Sequence, residues 1–206
     1  LSKIGVLDKI DFDIEEVGRP IKFNWGKCPL ATASFGHGIT TTLLQVVKAY
    51  SIIVNGGFEI NPFLIKKDKE VVKPKILDEE VSKKILPILR KIVATNEGTA
   101  NLANVEGYEI GGKTGTANKS SDGNYTKKKI NTFVSIFPTS KPKFILAVML
   151  DEPQINEDYI YIYRDGSNFK LKGSPRNTAG WNSVETTGHI IEKIGPILAT
   201  KYSEVN

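Results

Sequence analysis

Cysteine, methionine and histidine are almost missing from this chain of 206 residues, which holds one, one and two of them. A lone Cys28 excludes an internal disulfide and any C-x-x-C metal or redox pair, so cysteine usage leaves the compartment open. No apolar run is long enough to span a bilayer. The chain starts at Leu1 without an initiator methionine and reads as cut from something longer, with any signal or anchor upstream. The aromatic-and-basic clusters of RNA-reading modules are missing too. The net charge of +5 comes from scattered lysines, and the run Lys127, Lys128, Lys129 reads as a solvated loop, so nucleic acid is set aside as a partner. There are no internal repeats or low-complexity tracts.

What is there is ordinary for a globular fold with a substantial core: 40% hydrophobic and 25% charged residues. Leu1 to Leu30 mixes short apolar pieces with Gly5, Gly18, Pro20, Gly26 and Pro29 and reads as irregular. Thr42 followed by Gln45 is a capping-box signature. Val46, Ala49, Tyr50 and Ile53 then recur at helical spacing, and Asn55-Gly56-Gly57 is a stop, which predicts a helix from about Leu43 to Val54. Phe58 to Ile65 reads as an edge strand because of Pro62. Asp78 is a second N-cap, with Glu79 and Glu80 in a first turn that favours acids. Val81, Ile85, Leu89, Ile92 and Val93 share a face of the helix that follows, and Pro87 inside it should kink it.

Beyond Gly107 the texture becomes β. TFVSIF from Thr132 and FILAVML from Phe144 are short, apolar and β-branched, with a turn from Pro138 to Pro142 between them. Tyr159 to Leu171 alternates around Asp165-Gly166, a two-residue hairpin signal, and predicts a hairpin projecting from the sheet with its tyrosines on a groove rim or partner surface. Ser183 to Thr200 carries Ile190, Ile191, Ile194, Ile197 and Leu198 as an amphipathic helix interrupted at Gly195-Pro196. Helices first, then an antiparallel sheet with a helix packed on it, make the fold class α+β.

The stretch GYEIGGKTGTANKSSDG, Gly107 to Gly123, satisfies two motifs that exclude each other. From Gly107 it matches the phosphate loop G-x-x-x-x-G-K-[ST], with Asp151-Glu152 after an apolar strand as a would-be magnesium site. That loop needs a buried strand before its first glycine and a helix after Lys113-Thr114. The flanks, TANLANVE and GTANKSSDGNY, offer neither. From Lys113 it reads Lys-Thr-Gly-Thr, the strand motif of serine enzymes that open β-lactams or join peptidoglycan peptides. Here the glycines strip side chains from a strand over Tyr108 to Ala117, so that an extended peptide could lie alongside. Lys113 supplies a positive charge, and Thr114 and Thr116 supply hydroxyl donors for a carboxylate. The alternative to this is a glycine-rich edge strand with a surface lysine.

SFGHGITTTLLQVVKAYSIIVNGG from Ser34, Gly98-Thr99-Ala100, GGKTGTA from Gly111, and Phe133 to Pro153 ending in DEP occur in the order found in the C-terminal part of the class B penicillin-binding proteins, and the chain resembles that family. TAGWN from Thr178 resembles its division-specific branch. The resemblance implies a penicillin-binding transpeptidase or serine β-lactamase-like fold, incomplete, with residues 1–206 as the C-terminal portion of one domain. The family works through Ser-x-x-Lys, Ser-x-Asn and Lys-Thr-Gly, and only the last is present. Ser140 to Lys143 and Ser167 to Lys170 match the first by letter but fall in turns, whereas nucleophile and lysine must share a helix face. Leu43 stands where the family commonly has proline.

By resemblance, Lys113 would hold the substrate carboxylate and Thr116 would hydrogen-bond it, with its backbone N–H as half of an oxyanion hole. Thr114 and Gly115 would shape the strand. His37, between two glycines, reads as a turn residue and His189 as a surface or packing residue. Asp151 and Glu152 read as a strand end, so no metal or cofactor is assigned. The implied partners are peptidoglycan stem peptides, β-lactams and division proteins. The implied location is the periplasmic side of the inner membrane, with an anchor outside these residues. A serine β-lactamase and a non-catalytic penicillin sensor stay open as alternatives.

Overall fold

The computed structural model describes residues 1–14, 17–21, 26–66, 73–121, 124–164, 166–167, 169–172 and 177–203. The chain divides into two compact units, Leu1–Lys83 and Lys84–Asn206.

The first unit is helical. Helix α1 (Lys27–Ala33) stands within and just beyond a stretch expected to be irregular. Its seven residues are too few for a periodic signal, which takes a window of about 11 or more. Helix α2 (Leu43–Val54) has the expected bounds and the expected capping box: Gln45 N donates to Thr42 Oγ1 at 3.2 Å, and Thr42 N donates to Gln45 Oε1 at 2.8 Å. Gln45 is fully buried and its amide also donates to the Asp8 carbonyl, so one side chain closes the helix start and ties the N-terminal segment to it. The expected strand at Phe58 to Ile65 does not form; only Phe58 makes an isolated bridge, to Lys75. The Glu59 amide donates to the Pro74 carbonyl at 3.0 Å, and side chains satisfy amides on either side in place of a continued ladder. Asn55 Oδ1 accepts the Gly57 and Phe58 amides, and Asp13 Oδ2 accepts those of Leu64 and Ile65.

Helix α3 (Glu79–Ala94) starts where Asp78 Oδ1 accepts the Glu80 amide at 2.9 Å, and it runs on through an exposed Pro87. Its apolar face is rotated from the expected one in the first turn. Val81 is 40% exposed, while Ser82 is buried, donating to the Ile53 carbonyl and accepting the Gly56 amide.

The second unit is an antiparallel sheet with helix α4 (Ser183–Ser203) on it. Strands β1 (Gly111–Ser121), β2 (Asn124–Phe137) and β3 (Phe144–Asp151) lie in the order β1-β2-β3, so β1 is an edge. β1 opens three residues later than expected because Gly107 and Glu109 take positive φ values of 85° and 46°. β2 is longer than expected and absorbs Lys127, Lys128 and Lys129, which are strand residues and not a loop, the first two exposed and Lys129 half-buried. Val93, Ala103, Ile110, Phe133, Val184 and Ile191 are the centre of the core.

Strands β4 (Ile160–Ile162) and β5 (Lys170–Lys172) form the expected hairpin, but pairing begins at Ile162 with Lys170, so the connection is longer than two residues. Asp165 lies outside the described residues. The hairpin is not a free projection: Tyr161 packs edge-on against Trp181 at 5.0 Å between centroids, and Tyr159 donates to Glu185 of α4 at 2.9 Å. α4 itself is not interrupted at Gly195-Pro196. Its buried stripe is Val184, Thr187, Gly188, Ile191 and Gly195, whereas Ile197 is 65% exposed. Small residues lie inward because a Cβ on Gly188 would lie 2.7 Å from the Leu102 carbonyl, and one on Gly195 would enter the Tyr108 ring.

Candidate functional site

The four predicted site residues, Lys113, Thr114, Gly115 and Thr116, are consecutive on β1, whose single pairing among the described strands is to β2. The two glycines ahead of them let this edge settle deeply. A Cβ on Gly111 would meet the backbone of Leu89 and Arg90 at 3.0 Å, and one on Gly112 would meet the Phe133 ring and the Val134 carbonyl. Strand alternation then sends Lys113 and Gly115 to one face and Thr114 and Thr116 to the other. Lys113 is exposed, and its ammonium donates to the Thr114 carbonyl at 2.9 Å.

The threonines line a cleft of about 340 Å³ together with Asn96, Thr99, Tyr163, Thr178 and Trp181. None of its lining residues is ionisable in the acid range or cationic. Lys113 is therefore the nearest formal charge on the strand itself and stands on the opposite face. Thr116 Oγ1 accepts the Ala179 amide at 3.0 Å. Thr114 Oγ1 and Thr99 Oγ1 are 3.2 Å apart and share one hydrogen bond. Each hydroxyl has one proton, so Thr116 keeps its own, and the Thr99–Thr114 pair keeps one of two. Two neutral donors plus a nearby ammonium suit an anion such as a carboxylate.

Thr99, Thr178 and Trp181 stand in the Gly98-Thr99-Ala100 and TAGWN motifs, yet no single role could be read for them from sequence. Their place on the cleft depends on folds of the chain at 95–103 and 177–182. The 3-10 turn Ala179–Trp181 approaches Thr99 so closely that a Cβ on Gly180 would lie 2.7 Å from its carbonyl. His37 is exposed in a turn of the first unit, and His189 is exposed on α4 and does not line the cleft.

Asp151 ends β3, and with Glu152 it binds Lys119 at 2.9 and 2.8 Å. The Lys119 and Lys128 ammonium groups hold the Glu152 carboxyl below its ordinary pKa. Both acids are thus engaged by lysines, and among the described residues no three His, Cys, Asp or Glu side chains stand together as a metal site would require. Lys113 and Thr114 lie inside a strand that continues to Ser121. A phosphate loop needs a helix there, so the nucleotide reading is excluded. Ser140 and Ser167 lie in the connections after β2 and β4, not on helices.

The profile of the penicillin binding protein transpeptidase domain matches residues 2–166, and the chain belongs to that family. The probable peptidoglycan D,D-transpeptidase FtsI of Caulobacter vibrioides is 30% identical across 97% of this chain and 33% of its own length. Stage V sporulation protein D of Bacillus subtilis is 35% identical across 75% of this chain and 26% of its own. The chain thus spans about a third or less of these relatives. Among solved structures, the transpeptidase domain of Burkholderia pseudomallei penicillin-binding protein 3 superposes with a TM-score of 0.75 at 24% identity, covering 95% of this chain and 55% of that one. Penicillin binding protein 3 from Mycobacterium tuberculosis, complexed with ampicillin, gives 0.74 at 22%, over 95% and 45%. These two likenesses show the fold.

Proposed function

We propose that the chain is the C-terminal portion of a peptidoglycan D,D-transpeptidase domain, in which β1 receives the D-Ala-D-Ala end of a stem peptide as an added strand while a serine elsewhere in the protein is acylated. The acyl group then passes to the amine of a neighbouring stem peptide. The observation that carries this reading is an edge strand bearing Lys-Thr-Gly-Thr, with two threonine hydroxyls opening on a cleft and an ammonium beside them. Lys113 and Thr116 bind the carboxylate, Thr116 N–H lends half of an oxyanion hole, and Thr114 and Gly115 shape the strand. β-Lactams take the same place. The peptidoglycan transpeptidases among the relatives favour cell-wall synthesis, and TAGWN from Thr178 favours the division branch, with division proteins as partners. The working location is the outer face of the cytoplasmic membrane, reached through a segment outside these residues; no helix among the described residues is long and apolar enough to cross a membrane.

In the full-length protein, Lys113→Ala is expected to slow β-lactam acylation by about 10²-fold, the scale set by removing one charge-stabilising donor. Stopped-flow acylation with a chromogenic cephalosporin measures it. Acylation at the wild-type rate removes Lys113 from the site. Fast turnover of the acylated protein by water, in place of a lasting acyl-enzyme, would assign a β-lactamase instead.

A further inference from the structure

Three asparagines, one on β2 and two from the segment that leads into α4, meet in one hydrogen-bonded cluster. Asn131, fully buried on β2, donates from Nδ2 to Asn177 Oδ1 at 2.8 Å, and Asn182 donates to the same oxygen at 3.4 Å. Asn177 Nδ2 donates onward to the Pro153 carbonyl at 2.8 Å. Asn182 Oδ1 accepts the Ser183 amide at 2.7 Å, at the first residue of α4. The segment 177–182 is thereby pinned at one end to β2 and the chain after β3, and at the other to the start of α4. Between the pins lies Ala179, whose amide donates to Thr116 Oγ1. Thr116 stands opposite Asn131 in the β1–β2 register, so the clamp and the hydroxyl it serves are neighbours across two strands.

We propose that Asn177 is a positioning residue which, by holding the Ala179 amide against Thr116, presets the Thr116 hydroxyl as a donor and so sets the preference of the site for ligands ending in a carboxylate. Asn177 touches no ligand and acts through Ala179 and Thr116. A hydroxyl that already accepts a backbone N–H has its lone-pair side occupied and its single proton turned away from that amide. Thr114 and Thr116 both line the cleft into which such a proton can point. Without the clamp, Ala179 loses its fixed place, the Thr116 hydroxyl rotates freely, and the energy of one charge-assisted hydrogen bond is spread over several rotamers. The proposal rests on the reading of β1 as the transpeptidase strand.

The test uses the full-length protein, a penicillin with its free carboxylate and the methyl ester of the same penicillin. Asn177→Ala should lower the free-acid over ester preference in acylation rate by about tenfold, the scale of a hydrogen bond to a charged group. The ester rate should stay within about twofold of wild type, and amide exchange at Ala179 should speed up while β1–β2 amides hold. In a Thr116→Val background, Asn177→Ala should change the preference no further. A merely structural role would slow both probes alike, and that result overturns the proposal, as does unchanged exchange at Ala179. Should Asn177→Ala fail to fold, Asn131→Ser removes a single clamp contact and must lower the preference in the same direction. A wild-type protein acylated by neither probe overturns the underlying reading of β1 instead, an outcome distinct from the others.

Discussion

In the proposed site Lys113 and Thr116 would reach a ligand from opposite faces of one strand, which only an edge allows, since in a central strand the ligand's place would be taken by another strand. The same scale governs a cluster further along the chain. Glu185, half-buried on α4, is held above its ordinary carboxyl pKa by burial, against the lowering effect of the Tyr159 hydroxyl that donates to it. Tyr159 is in turn pushed up to about 12, by burial first and by Glu185 second. A carboxyl raised on folding binds its proton more tightly in the folded chain. Its contribution is therefore most favourable below the unfolded value of about 4.3 and declines as pH rises from there through the folded value. Glu192 runs the other way: its hydrogen bonds from Arg164 lower its pKa, so that pair is lost as pH falls through the depressed value. Glu185→Gln keeps an acceptor for Tyr159 and removes the buried charge. Stability at neutral pH should then rise by up to about 1 kcal/mol, given the partial exposure, and the decline above pH ~4.3 should flatten. Chemical denaturation at several pH values reads it, and an unchanged pH profile would remove Glu185 as its source.

Glycine inside α4 shows how an element can be right for reasons that periodicity does not display. A helix gains up to about 1 kcal/mol when an exposed Gly becomes Ala. At Gly195 the added methyl would overlap the Tyr108 ring, and forcing extra volume into a packed site costs about 1–3 kcal/mol. Overpacking wins, so Gly195→Ala should lower stability by about 1–2 kcal/mol in thermal denaturation, and in a Tyr108→Ala background, where the ring is gone, the same substitution should cost less. A stabilised single variant would mean that the ring moves aside at no cost. The capping box at Thr42, the bounds of α2, the apolar strands β2 and β3 and the Lys-Thr-Gly-Thr edge were legible in sequence because each follows from local chemistry. The buried stripe of α4 was not, because hydrophobic spacing favours Ile197 while packing selects Gly188 and Gly195. The missing strand at Phe58 to Ile65 failed for a related reason: Asn55 and Asp13 satisfy the amides that a partner strand would have taken, and neither contact has a sequence signal. The cleft was half legible, since Thr116 lies in a motif while the amide that orients it comes from 63 residues away.

At the scale of the whole molecule, the cleft has donors for a carboxylate, but its lining includes no serine, cysteine or lysine; its hydroxyls are those of Thr99, Thr114, Thr116, Thr178 and Tyr163, the first three engaged in the Thr99–Thr114 pair and the contact with the Ala179 amide. A serine that is acylated needs a base held beside it on a rigid element. Ser140 precedes β3 in a turn where its amide donates to Glu109 Oε2 at 3.3 Å, and Ser167 lies in the β4–β5 connection, where its Oγ accepts the Phe169 amide at 3.1 Å. Each has a lysine three residues on, yet without a helix that spacing does not turn the two side chains to one face. We therefore expect the 206-residue chain alone to take up no covalent label from a fluorescent penicillin, whereas the full-length protein is labelled at a serine outside these residues. Gel fluorescence followed by peptide mapping separates the cases. Label on the isolated chain at Ser140 or Ser167 would show that the acylated residue lies here after all, and that β1 serves a nucleophile presented by a loop rather than one carried on a helix.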